Sequence, residues 1–180
     1  MYEIGIRIMR FEQVVPEESN LFWASNGLFQ GGIRLHLDRG HLERIAKTLS
    51  PFPDKIPGEC SYSIGSKRPD DNSDYLMLRA YMADNQGHTA LQVVMNNKED
   101  GPDEGECRFS IMAEPWAIHR LGELILRFSD SKYCALKWSL NADNDELMEW
   151  EPLDPWWKEE WNELREALKG PWPKGQDWVP

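Results

Sequence analysis

Two apolar runs joined by a turn cluster dominate the pattern of the chain. Along Tyr75-Leu-Met-Leu-Arg-Ala-Tyr-Met-Ala83, Leu76, Leu78, Ala80 and Met82 share one face, and Tyr75, Met77, Arg79 and Tyr81 the other. Asp84-Asn-Gln-Gly87 supplies turn chemistry, and residues 88–95 return as a second apolar run, which predicts a hairpin with a loop of about three to five residues. Few positions on either face are polar, so the hairpin is expected mid-sheet and covered on both sides. Cys107, Phe109, Ile111 and Ala113 then alternate with Glu106, Arg108, Ser110 and Met112, the third strand of a meander.

The same alternation marks strands at Ile4/Ile6/Ile8, at Leu21–Ser25 and at Ile33/Leu35/Leu37, where Gly31-Gly32 permits a bulge or a sharp bend. Asp38 reads as a helix N-cap before Leu42, Ile45, Ala46 and Leu49, and Ser50-Pro-Phe-Pro53 is the stop. A strand over residues 54–65 carries Cys60, Tyr62 and Ile64 on one face, and residues 66–74 form a polar loop. Pro115 suits the first position of a second helix, with Ala117, Leu121, Leu124, Ile125 and Phe128 as its stripe. Residues 133–140 read as the last strand, with Cys134, Leu136, Trp138 and Leu140 together. The expected fold is α+β: a mostly antiparallel twisted sheet of about seven or eight strands with two or three packed helices.

Composition refines this picture. The 180 residues suit one domain. No apolar run reaches the roughly 18 residues of a membrane helix, and the N-terminus lacks the pattern of an export signal. Three cysteines, Cys60, Cys107 and Cys134, each fall in a strand, which fits reduced thiols in the cytosol. The formal net charge of −11 repels nucleic acid phosphate and attracts a basic partner.

Residues 1–140 are thus read as the sheet domain, and 141–180 as an acidic extension of the same globular unit. Residues 141–166 hold ten acidic and two basic side chains, and six of the nine tryptophans follow residue 149. Asp154-Pro155 opens a helix whose stripe is Trp157, Trp161, Leu164 and Leu168. The stripe suits packing on the sheet. Trp150 and Trp156, off the stripe, with Glu149, Glu151, Glu159 and Glu160, suit a surface for a basic protein. Glu99, Asp100, Asp103 and Glu104 form a second acidic patch. A membrane role is disfavoured, because anionic headgroups repel such a tail.

No histidine pair has metal-ligand spacing, no Cys-x-x-Cys occurs, and nucleophile elbows and phosphate-binding glycine loops are missing from the sequence. Residues 70–74 lack the glycine and closing glutamate of a calcium loop. The expectation is a non-enzymatic protein without cofactor or metal.

The order of elements resembles a known group. An aromatic strand near Leu21–Ala24 leads to Gly31-Gly-Ile-Arg-Leu-His-Leu37 and a short helix ending Leu-Ser-Pro-Phe-Pro53. The 75–95 hairpin, a strand ending Phe109-Ser-Ile-Met112 and a helix with Leu121, Leu124 and Ile125 follow. Over residues 20–140 this is similar to immunity-type bacterial proteins of the WapI kind. That resemblance implies a cytosolic protein that binds and blocks a toxin domain, often a basic nuclease, and it brings no catalytic residues with it. The alternative expectation is a small-molecule binder with a cup in the sheet lined by Tyr62, Tyr75, Tyr81 and Trp138.

Overall fold

The computed structural model describes residues 3–10, 19–53, 58–66, 68, 73–99 and 101–149. Within them the chain runs β1 (Gly5–Arg10), β2 (Ser19–Ser25), β3 (Gln30–His36), α1 (Arg39–Leu49), β4 (Glu59–Ile64), β5 (Tyr75–Met82) and β6 (Thr89–Asn96). It continues through β7 (Glu106–Met112), α2 (Pro115–Phe128), β8 (Tyr133–Ser139) and β9 (Glu146–Glu149). The fold is α+β with antiparallel sheets, as the alternation implies. The strands divide into two sheets, β3-β2-β1-β8-β9 and β4-β5-β6-β7. The strand β9 lies past Leu140 and pairs with β8, so the first sheet continues into the acidic stretch. No helix among the described residues is long and apolar enough to cross a membrane.

The meander is built as its pattern predicts, with β5 and β6 in the middle of the second sheet. Its tight loop has a local cause. Ala83 N–H donates to His88 O, the Asp84 carboxylate accepts from the Gln86 and His88 amides, and Gly87 takes a φ of +94°. Asp38 caps α1 by accepting from His41 N–H at 2.6 Å. That amide is the main reason its carboxyl is held below the usual range, and the His41 ring adds to it. At the far end of α2, Arg10 donates to the carbonyls of Phe128, Asp130 and Tyr133, where a cation meets the negative end of the helix.

One core joins both sheets and both helices: Ile6, Ile8, Phe22, Leu76, Leu91, Ile111, Leu42 and Ile125 all belong to it. The indole of Trp138 stitches the first sheet to α2, with Nε1–H donating to Ala117 O at 3.0 Å. The two helices meet at Gly122, where a Cβ would lie 2.8 Å from the backbone nitrogen of Ser50. Replacing Gly122 with valine is therefore expected to push α1 and α2 apart and cost about 1–3 kcal/mol. Urea unfolding checks this, and a variant as stable as the parent would show that the helices have room to spare. Gly31 has a related role without a bulge. It stays in register opposite Ala24, and a Cβ there would lie 2.7 Å from Cys107 Sγ, so it lets the two sheets close at a corner.

Candidate functional site

The most distinctive surface lies where β7 runs into α2. Trp116, at the second position of the helix, falls outside the buried stripe and is 55 % exposed; Met112, at the end of β7, is 56 % exposed. One helical turn on, Arg120 lays its guanidinium 4.6 Å from the centre of the Trp116 ring. The guanidinium is itself pinned. It donates to Ser139 O and pairs with the carboxylate of Asp145, between β8 and β9, while Asp145 also accepts from Ser139 N–H at 2.8 Å. Burial pushes the Asp145 carboxyl up, against the pull of that amide and of Arg120. Such a pair contributes little net stability, because desolvation offsets the attraction, but it fixes geometry. The outcome is an aromatic ring that faces solvent yet is held in place.

Beside the ring is a hollow of about 300 Å³ lined by His88, Thr89, Met112, Ala113, Glu114, Trp116, Ala117 and Leu140. His88 and Asp84 form an ion pair at its rim, and the hydrogen bond that the ring donates to the Asp84 carboxylate is the main reason the imidazole is pushed up. The Thr89 hydroxyl donates to Ala113 O, so it is not presented to that Asp–His pair as a nucleophile.

From Met112 this surface runs along the edge strand β7 past Ser110 and Arg108. Ala113 N–H bonds to Thr89 O, and antiparallel alternation then turns the backbone groups of Arg108, Ser110 and Met112 away from β6. Ser110 O accepts from Asn26 Nδ2 at 3.2 Å, which seats the β2–β3 turn against this edge. That turn carries Leu28 and Phe29, 69 % and 60 % exposed. Four of the five large exposed apolar side chains among the described residues thus lie at the end of β7, in the helix that follows it or in the turn seated against it. A cluster of this kind marks an interaction surface more often than chance exposure does.

The acidic residues singled out from sequence are distributed differently. Trp150, Glu151, Trp156, Glu159, Glu160 and Asp100, and the helix read over 154–168, lie outside the described residues. Asp103 sits in a short 3-10 turn, Gly101–Asp103, and its side chain is likewise outside the description. Glu149 closes β9 and pairs with Lys132 at 3.3 Å. Glu104 lines a second hollow, of about 240 Å³, with Gln30, Gly31, Asn97 and Cys107 at the seam between the sheets. This seam lies at the β3 edge of the first sheet and Glu149 at the β9 edge, four strand spacings or about 19 Å away. Glu149 and Glu104 therefore do not form one patch.

Glu99 does act on a neighbour. Burial first, and then the charge of Glu99, push the Asp74 carboxyl up to about 6. A carboxyl raised on folding favours the folded state while protonated, and that advantage is lost as pH rises from about 4 through 6. Asp74→Asn is expected to be more stable than the parent by about 1 kcal/mol at neutral pH, after allowing for solvent screening, and equal to it near pH 4. Urea unfolding at the two pH values checks this. A difference that does not change with pH would contradict it.

The four cup residues are not brought together. Tyr62 pairs opposite Leu78 on the core face of its sheet, Tyr75 and Tyr81 point to the other face, and Trp138 belongs to the other sheet. All three cysteines are free, and burial pushes the Cys107 thiol up to about 11, so it stays protonated. Among the described residues no group of three or more His, Cys, Asp or Glu side chains could hold a metal ion.

The Trp116 surface escapes a reading of the sequence that follows apolar stripes, because its residues occupy the gaps between them. Two signals were present: an arginine four residues after an off-stripe tryptophan, and a glutamate, Glu114, at an N-cap position that favours shorter side chains. Compared with models of known families, with curated proteins and with solved structures, the chain matches none.

Proposed function

We propose that this protein is a non-enzymatic binding protein, acting in the cytosol as an immunity protein that neutralises a basic toxin domain. The observation that carries the reading is Trp116, a large aromatic side chain exposed to solvent and held by Arg120 and Asp145. Interface energy concentrates in such residues, and one already fixed loses little further freedom on binding. The flanking Leu28, Phe29 and Met112 add apolar area. The net charge of −11 speeds encounter with a basic partner. The resemblance in element order to WapI-type proteins supplies the class of partner, and the acidic residues after Glu149 contribute to steering.

A small-molecule reading is favoured by one observation, the hollow beside Trp116, whose volume is at the lower end for ligand sites. Co-expression with the product of the adjacent reading frame separates the two. The immunity reading expects the neighbour alone to arrest growth, and this protein to restore growth and to co-purify with it. A harmless neighbour that does not co-purify would contradict it.

A further inference from the structure

We propose that the hollow beside Trp116 receives a lysine or arginine side chain, with Glu114 as the counter-charge. This rests on the same surface as the binding function and names the chemistry that the surface selects. Glu114 stands at the N-cap of α2, yet its side chain makes no capping hydrogen bond. The helix begins instead with Pro115, whose missing N–H leaves one donor fewer to satisfy. The glutamate is exposed and lines the hollow; among the described residues it has no hydrogen-bond or ion-pair partner, and its charge acts on the nearby His88 imidazole. Its carboxylate is therefore available.

The walls suit the rest of such a side chain. Met112, Leu140 and Ala117 offer apolar contact to a methylene stem, and an aliphatic stem ending in a cation is what lysine and arginine present. The charged groups around the hollow are Asp84, His88, Glu114 and Arg120. Arg120 is committed to Asp145, Ser139 O and the Trp116 ring. His88 is paired with Asp84. With His88 paired to Asp84 and Arg120 to Asp145, Glu114 is the carboxylate at this rim that neither pair neutralises, and a cation is the matching ligand.

The test needs no natural partner. The full chain, labelled with ¹⁵N, is titrated with N-acetyl-lysine methylamide, N-acetyl-arginine methylamide and the neutral, apolar N-acetyl-norleucine methylamide. The expected result is that the lysine and arginine derivatives shift the Trp116 indole and the amides of residues 113–117, and that norleucine does so at least threefold more weakly. Glu114→Gln is expected to remove the preference while its melting temperature stays that of the parent. Equal shifts from norleucine, no shifts from any probe, or an undiminished preference in Glu114→Gln would each overturn the proposal. Failure here with growth rescue intact would leave the immunity reading standing. Binding here without rescue would remove the immunity reading alone.

Discussion

Replacing Trp138 with alanine is expected to destabilise the protein by about 3–5 kcal/mol, the range for truncating a large buried aromatic side chain. Trp138 is 1 % exposed and sits opposite Ile6 on the central strand β1. Its indole is also a direct link from the first sheet to α2, through Ala117 O, in addition to those made by Arg10 and Arg120. Truncation removes packing from the sheet and the helix at once, and the neighbouring backbone cannot close the gap without breaking strand register. Against a total stability of about 5–15 kcal/mol, such a loss leaves a marginal fold. Trp138→Phe keeps most of the volume and gives up the hydrogen bond, so about 1–2 kcal/mol is expected. Urea unfolding followed by circular dichroism separates the two. An alanine variant within about 1 kcal/mol of the parent would mean that the indole does not join the layers.

The second large effect falls on binding. Trp116→Ala is expected to weaken the complex by about 2 kcal/mol or more, roughly thirtyfold, because a central aromatic anchor carries a disproportionate share of interface energy. Its effect on the free protein should stay within about 0.5 kcal/mol, since the ring is mostly in solvent. That contrast identifies a contact residue. Arg120→Ala should behave differently. It leaves the nearly buried carboxylate of Asp145 without its cation, so stability falls, and it frees the Trp116 ring, so binding falls less than on removing the ring itself. Calorimetric titration of each variant, with melting curves of the same samples, tests the pair. Equal affinity of Trp116→Ala and the parent would remove Trp116 from the interface.

The parts of the fold governed by local rules were legible in the chain. The 75–95 hairpin follows from alternation and from the Asp84–Gly87 turn, and Asp38 and Pro115 mark the starts of α1 and α2 as their chemistry requires. What alternation does not carry is the choice of partner strand. It tells which side of a strand meets the core, not which sheet the strand enters, and the pairing of β1 with β8 joins residues more than a hundred positions apart. The split into two sheets follows from such long-range choices. The strand β9 was hidden for another reason: Glu146-Leu-Met-Glu149 lies in an acidic stretch, and the ion pairs of Glu146 with Lys137 and of Glu149 with Lys132 offset charge that looked merely solvated. The candidate surface was hidden because exposure is a property of the folded layers. Trp116 and Met112 look like ordinary apolar residues until β7 is seen to be an edge strand.

Hydrogen exchange on the complex formed with the co-expressed neighbour addresses the central claim most directly, because it reports which backbone the partner covers. The Trp116 surface predicts slowed exchange over residues 108–117 and over the Asn26–Phe29 turn, relative to the free protein. Unchanged exchange in both segments, with protection confined to other parts of the chain, would contradict it and move the interface away from β7.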